Sequence, residues 1–240
     1  MNLIVDIGNS GIKLAMFSGE NKTASFRIET HDNEVLAEFI QNRNIEKAII
    51  SSVKDIPPSL LEILHTNIPY IHLVSDKTLI PFPVDYETPE TLGTDRIAAT
   101  AGAFKAFTGK DCLIIDAGSA ITYDFLVNGR YKGGNISPGI EMRFKALNQF
   151  TSRLPLVKPR GKFSSPGVNT HDAIEAGVII GVVYEINEYI HTFKKDYKNS
   201  IFVITGGDGN FLMEKINEKV IYIPDLVLEG LNYILEYNAK

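Results

Sequence analysis

One local design occurs twice in this chain, and it constrains the fold more than any other feature. Asp6-Ile7-Gly8-Asn9-Ser10-Gly11-Ile12-Lys13 recurs in outline as Asp116-Ala117-Gly118-Ser119-Ala120-Ile121-Thr122. Each copy follows an apolar run, Leu3-Ile4-Val5 or Leu113-Ile114-Ile115. Each then leads into an alternating stretch, Ile12 to Phe17 or Ile121 to Val127. Periodicity of this kind predicts a buried strand, a tight glycine turn and an antiparallel return strand. A carboxylate stands at the mouth of each turn. Glycine admits positive φ and close backbone approach, and the small Asn or Ser side chains leave donors free beside it.

Two such hairpins facing each other across a cleft would grip a nucleoside triphosphate and its metal from both sides. The arrangement resembles the superfamily of acetate kinase, sugar kinases, heat-shock chaperones and actin. The 240 residues accommodate two α/β domains, each within the ordinary range of about 50–250 residues. The expected division is 1–108 and 109–240, with the ATP cleft between.

The element pattern agrees with that division. In the first half, strands are expected at Asn2–Asp6, Ile12–Phe17 and Thr23–Ile28. A helix follows, capped by Thr30 or Asp32, with Val35, Leu36, Phe39 and Ile40 on its apolar face. A strand at Lys47–Ser52, a short helix after Pro57-Pro58 and a strand at Tyr70–Val74 complete the half. Three antiparallel strands followed by αβ units is a ribonuclease-H-like plan rather than a Rossmann plan. Pro81, Pro83 and Pro89 break regular structure up to an Ala-rich helix at Thr91–Phe107.

The second half restarts with strands at Cys112–Asp116, Ile121–Val127 and around Tyr131, where Asn128-Gly129 signals a hairpin. Helices are expected from Pro138 to Thr151 and from Thr170 to Tyr197. Between them, residues 153–169 read as a mobile active-site loop. A strand at Ile201–Thr205, a helix after Asp208, a strand at Val220–Ile223 and a closing helix finish the chain.

Composition excludes several classes. Apolar residues make up 44% and charged residues 22%, enough for packed cores and too apolar for disorder. A net charge of −5 argues against nucleic acid as a principal ligand. Lys158, Arg160 and Lys162 form a local basic cluster, read as a solvated loop or a polyanion site. No stretch reaches the ~18 apolar residues of a membrane span, and no secretory-signal pattern is present, so no membrane partner and a cytoplasmic location are expected. Cys112, the single cysteine, permits no intrachain disulfide and reads as a buried small hydrophobe. The five histidines show no metal-ligand spacing.

Several residues could carry chemistry. Asp6 either caps its turn or holds Mg²⁺, directly or through water, near phosphates, and the second copy at Asp116 favours the latter. Mg²⁺ suits one or two carboxylates with phosphate oxygens and retained waters. Asn9, Ser10 and Lys13 would donate to phosphate. Thr205-Gly206-Gly207-Asp208-Gly209 offers flat backbone for a base or ribose and amides for phosphate. Gly93-Thr94-Asp95-Arg96 opens the Ala-rich helix. There Asp95 is either a cap answering the helix dipole or an acceptor for a hydroxyl proton, and Arg96 could grip an anion in a two-pronged contact. Gly133 to Gly139 precedes a helix and could present amides to a ligand, and Thr170 is either a helix cap or a ligand contact.

These motifs together resemble the type III pantothenate kinases, which start coenzyme A synthesis. The match runs through Asp6-x-Gly-Asn-Ser10 with Lys13, then Tyr86-x-x-Pro89-x-x-Leu92-Gly-x-Asp95-Arg96 and Asp116-x-Gly-Ser-Ala-x-Thr122-x-Asp124. It continues through Gly133-Gly134-x-Ile136-x-Pro138-Gly139, Asn169-Thr170 with Ala173-Ile174-x-x-Gly177, and Thr205-Gly206-Gly207. The resemblance implies that Asp6, Ile7, Gly8, Asn9, Ser10, Gly11, Ile12 and Lys13 bind ATP phosphates and Mg²⁺, with Ser119, Gly206 and Gly207 also on ATP. It implies that Asp95 is the base for the primary hydroxyl of pantothenate. Gly93, Thr94, Asp95, Arg96, Tyr86 and Thr170 would contact pantothenate, with Arg96 on its polar or carboxylate end. Asp116 would hold a monovalent cation, K⁺ or NH₄⁺, and the protein would be a homodimer. Ser10 and Ser119 stand where the family commonly has Thr, which bears on affinity more than on activity. A non-catalytic regulator on the same fold would be expected to lose Asp6 or Asp95, and both are here. A kinase for another hydroxylated substrate is the other alternative.

Overall fold

The computed structural model describes residues 1–9, 11–28, 33–159 and 161–239, with Asn33 by its backbone only. The expected contacts of Ser10, the caps Thr30 and Asp32, and the basic Arg160 lie outside the described residues.

Elements follow the sequence pattern closely. β1 (Asn2–Gly8), β2 (Gly11–Ser18) and β3 (Asn21–Ile28) come first, then α1 (Asn33–Ile40), β4 (Lys47–Ser52), α2 (Pro58–Asn67) and β5 (Tyr70–Leu73). A 3₁₀ turn at Pro89–Thr91 precedes α3 (Thr94–Ala106). Next are β6 (Cys112–Ala117), β7 (Ala120–Val127), β8 (Arg130–Pro138), α4 (Ile140–Gln149) and α5 (Thr170–Asp196). β9 (Ile201–Thr205), α6 (Gly209–Met213), β10 (Ile221–Tyr222) and α7 (Leu226–Asn238) finish the chain. Two five-stranded sheets result, ordered β3-β2-β1-β4-β5 and β10-β9-β6-β7-β8. In each, an antiparallel hairpin is extended by parallel strands, as the ribonuclease-H-like plan requires.

β1 pairs antiparallel with β2 and parallel with β4. Being central, it buries both faces, so Leu3, Ile4 and Val5 are all inaccessible to solvent and no alternation appears in that run. α1 and α2 cover one side of this sheet, with Leu36, Ile40, Leu60 and Leu64 in the same core as Leu3, Val5 and Leu14.

The described residues divide into two compact units. One comprises Met1–Gly109, Leu126–Gly133 and Asp225–Lys240, the other Lys110–Phe125 and Gly134–Pro224. A single cut after residue 108 would leave the closing helix with the second half, whereas α7 packs on α3 in the first. The reason is steric. A Cβ at Gly230 would strike the Ala98 carbonyl, and one at Gly102 would come within 2.5 Å of the Leu226 carbonyl. Two helices that meet through glycine approach backbone to backbone, and α3 is buried along most of its length as a result.

β8 is longer than the strand expected around Tyr131 and runs to Pro138. Residues 133–138 are therefore strand, not the turn of free amides proposed from their glycines. Gly139 is the N-cap of α4, and its own N–H is taken by the Ser119 carbonyl at 3.2 Å.

Candidate active site

In the first unit, the carboxyl ends of the parallel strands β1 and β4 bring the predicted groups together, which is where sheets of this kind open towards ligands. Asp6 near the end of β1 pairs with Lys13 of β2 and with Ser51 of β4. Only 9% of Asp6 is exposed. Burial pushes its carboxyl up to about 6; the Lys13 charge opposes this, the Asp95 charge adds to it, and a hydrogen bond from Ser51 opposes it. Beside it, Gly11 adopts φ of 140°, a conformation that favours glycine and closes the turn. Lys54 Nζ donates to the Asn9 carbonyl at 2.7 Å, so a second cation flanks the turn.

Asp95 stands in the first turn of α3, whose N-cap is Gly93. Its Oδ1 accepts the Arg96 N–H at 2.8 Å. A Cβ at Gly93 would lie 2.5 Å from that same oxygen, so the glycine leaves the carboxylate its room. The Ser51 and Thr94 hydroxyls are 2.9 Å apart, fastening the start of α3 to the end of β4. Asp95 thus joins Asp6 and Lys13 in one electrostatic group.

Arg96 turns inward and is 5% exposed. Its guanidinium carbon lies 5.9 Å from the centre of the Tyr131 ring, and the Tyr86 ring lies 6.2 Å from the same ring at an angle of 50°. Tyr86 and Arg96, ten positions apart in sequence, therefore share one neighbour.

In the second unit, Asp116 near the end of β6 pairs with Thr205 of β9. Gly206 follows with φ of 88°. A Cβ there would collide with the Ala117 carbonyl and lie 2.5 Å from Asp116 Oδ1. The Asp208 N–H donates to the Ala117 carbonyl at 2.9 Å, and the Gly139 N–H donates to the Ser119 carbonyl at 3.2 Å. A Cβ on Gly139 would collide with the Gly118 and Ser119 carbonyls. Carboxylate and carbonyl oxygens are thus gathered around two glycine turns. Nothing lies within 4 Å of a Cβ built on Gly207, which leaves that backbone open. Burial first and the Glu141 charge second raise the Asp208 carboxyl from its ordinary value.

Glu185 of α5 ties β7, β8 and α4 together. It accepts hydrogen bonds from Tyr123 at 2.8 Å and Ser137 at 2.5 Å, and from Arg143 at 2.6 Å. Thr170 is the exposed first residue of α5, and its capping role is taken by Asn169, whose side chain accepts the Asp172 N–H at 2.9 Å.

Sequence reasoning passed over Ser51, Lys54, Tyr131 and Glu185. Ser51 carried a readable signal, since it ends an apolar run as Asp6 and Asp116 do. The other three carried none, because their partners come from distant elements. Among the described residues, no group of three or more His, Cys, Asp or Glu side chains is arranged to hold a metal.

A family model described as type III pantothenate kinase matches residues 2–192. Proteins named type III pantothenate kinase from Bacteroides fragilis (strain YCH46) and Phocaeicola vulgatus are 44% and 43% identical to this chain. These matches cover 99% and 100% of it, and 98% and 100% of those proteins. Among solved structures, one from Campylobacter jejuni, described as a candidate Baf family transcriptional activator, is 28% identical with a TM-score of 0.61. That match covers 99% of this chain and 98% of that one. A ROK family glucokinase from Streptomyces griseus, in complex with glucose and AMPPNP, has a TM-score of 0.52 over 99% of both chains. At 10% identity it shares the fold alone.

Proposed function

This chain belongs to the type III pantothenate kinase family, and on that premise we propose that Asp95 is the base that activates the primary hydroxyl of pantothenate. The protein is an ATP-dependent kinase that converts pantothenate to 4′-phosphopantothenate, the first step of coenzyme A biosynthesis, and it takes ATP with a divalent metal. Its fold is two-domain ribonuclease-H-like, as in the sugar kinases.

The hydroxyl oxygen forms a bond to the γ-phosphorus while the bond from that phosphorus to the ADP oxygen breaks. The hydroxyl proton passes to Asp95. Phosphoryl transfer of this kind depends on positioning and charge stabilisation more than on a strong base, so a well-placed carboxylate suffices. The observation that best supports the assignment is the 2.9 Å contact between the Ser51 and Thr94 hydroxyls, because Ser51 pairs with Asp6 and Thr94 precedes Asp95. It puts the proposed base next to the proposed metal-binding carboxylate.

Asp6 fits Mg²⁺ on two counts. It is a buried carboxylate already raised by burial, with a like charge adding to the shift, a repulsion that a divalent cation relieves. Mg²⁺ also suits one or two carboxylates together with waters and phosphate oxygens, and Asp6 would supply one. Asp6 would hold Mg²⁺, which would supply neutralisation of phosphate charge there. Ile7, Gly8, Asn9, Ser10, Gly11, Ile12 and Lys13 would meet the phosphates through backbone amides and the Lys13 ammonium. Gly93, Thr94, Arg96 and Tyr86 would hold pantothenate, with Arg96 on its carboxylate, and Thr170 would add a contact.

In the second unit, Ser119, Gly206 and Gly207 would touch the nucleotide. Asp116 would hold K⁺ or NH₄⁺, a role that fits the surrounding carbonyl oxygens, since K⁺ is well served by carbonyl ligands. A homodimer working in the cytoplasm, without nucleic acid, completes the proposal. Among the described residues no helix is long and apolar enough to cross a membrane.

The test is ADP release with ATP, Mg²⁺ and pantothenate, run in K⁺ and in Na⁺, with pantothenate omitted as control, and with sedimentation for the dimer. Release that needs pantothenate and rises with K⁺ is the expected result. Release without pantothenate would point to another acceptor, and release indifferent to K⁺ would remove the cation role of Asp116.

A further inference from the structure

We infer that Tyr131 is a positioning residue for pantothenate binding, its buried ring serving as the platform that orders the Arg96 guanidinium. The inference rests on the assignment of Arg96 to the pantothenate carboxylate made above, and it explains how that arginine is ready before substrate arrives.

Tyr131 is wholly buried, so it acts through its neighbours and not by touching substrate. Two of those neighbours are the proposed substrate residues, Arg96 at 5.9 Å and Tyr86 at 6.2 Å. A guanidinium is less strongly hydrated than an ammonium and is attracted to the face of an aromatic ring, most strongly where water is excluded. Arg96 has its backbone on α3 and Tyr131 has its own on β8, so the ring contact ties the arginine to a second element. A long side chain already ordered has less freedom to lose when its anion binds.

The backbone around Tyr131 is built to hold the ring still. The Tyr131 N–H donates to the Pro83 carbonyl at 2.9 Å, and its carbonyl accepts the Asp85 N–H at 2.8 Å. Val84 thereby forms a parallel bridge with Tyr131, adding the segment before Tyr86 to the edge of the hairpin. Successive residues of a strand face opposite sides. Arg130 and Lys132 are exposed while Tyr131 between them is buried. The two exposed cations grip Asp85, Arg130 through contacts of 2.5 and 3.1 Å and Lys132 at 2.8 Å. This clasp holds the Asp85 carboxyl well below its usual range, through the Arg130 hydrogen bond first and the Lys132 bond second. One three-residue stretch thus ties down the Tyr86 segment with its outer face and supports Arg96 with its inner one. Gly133 completes the fit. Its φ is 107° and a Cβ there would sit 3.9 Å from the Tyr86 ring.

A platform for a carboxylate-binding arginine should bear on selectivity for the acid over its neutral primary amide. The experiment uses the full chain with Tyr131→Phe, with Arg96→Ala, and with a graded series of fluorinated phenylalanines at position 131. Fluorination preserves the ring's shape, and with it the fold, while draining the negative face that attracts a cation. For each protein, kcat, the KM for ATP, and kcat/KM for pantothenate and for its primary amide are measured.

Tyr131→Phe should stay within about twofold of the parent. Increasing fluorination should raise the pantothenate KM by about three- to tenfold, leave kcat and the ATP KM unchanged, and reduce the preference for acid over amide. A pantothenate KM that stays flat along the series, while Arg96→Ala raises it, overturns the platform and leaves the Arg96 assignment standing. Equal losses in kcat and in both KM values show a merely structural ring and overturn it too. If Arg96→Ala keeps the preference for acid over amide, the Arg96 assignment falls and the inference falls with it.

Discussion

The hydroxyls of Ser51 and Thr94 lie 2.9 Å apart, and this contact links the segments that carry the two carboxylates proposed for the reaction, Asp6 and Asp95. Ser51, next to the end of β4, lies beside Asp6 and also donates to it. Thr94 precedes Asp95 at the start of α3. A shift of α3 along the sheet would move the proposed base and loosen a hydrogen bond to the proposed metal ligand at once.

Asp95→Asn should lower kcat by about 10²–10⁴-fold, the usual contribution of a positioned proton acceptor, with ATP affinity within a few-fold of the parent. Single-turnover kinetics alongside nucleotide titration measure the two separately. Turnover near the parent level would remove Asp95 from the chemistry.

Asp6→Asn should make the ligand-free protein more stable at pH 8 while abolishing Mg²⁺-dependent turnover. The folded-state pKa of about 6 stands above the ordinary 3.8, so the folded form binds this proton more tightly than the unfolded one. The protonated carboxyl therefore favours folding fully below pH ~4, and that advantage is lost as pH rises through ~6. Two pKa units correspond to about 3 kcal/mol, so a gain of roughly 1–3 kcal/mol is expected at pH 8 and little below pH 4. Urea unfolding across that range reads it out. A parent as stable as the variant at pH 8 would contradict the burial penalty.

Asp116→Asn should blunt the response to K⁺. The K⁺ concentration for half-maximal activation should rise about tenfold or more, and any rise in melting temperature produced by K⁺ should shrink with it, as linkage requires. An unchanged activation curve would move the cation elsewhere.

Gly230→Ala should weaken the α3–α7 crossing, because the added methyl meets the Ala98 carbonyl. Overpacking of this kind costs about 1–3 kcal/mol, or about 2–4 °C per kcal/mol in a chain of this size. Calorimetry settles the stability, and a lowered kcat in the folded variant would show that Asp95 is sensitive to where its helix sits. An unaltered melting temperature would mean the helices can separate without cost.

Much of this fold is legible from local signals. The turns after Asp6 and Asp116 announce themselves because glycine, a carboxylate and an apolar run lie adjacent in sequence, and the strand pairings follow from them. Helix ends are harder. Pro138 and Thr91 were plausible helix starts, yet Pro138 ends β8 and the capping of α3 falls to Gly93. Ser51 and Tyr131 escape notice for a different reason. Their roles depend on which distant strands become neighbours, and no spacing along the chain encodes that. The same holds for α7, whose glycine fits a groove on α3 made of Ala98 and Gly102.

The glycine contact of α7 with α3 also bears on the order of events during synthesis. The ribosome delivers α3, with Asp95 at its head, long before α7 exists. Until residues as far as Asn238 have emerged, the groove of Ala98 and Gly102 has nothing to close against. A nascent chain can thus display both carboxylates, Asp6 and Asp95, while the helix bearing the second still lacks its support. In those terms Gly230 is a constraint on timing, since the packing of α3 is completed only once α7 has been made.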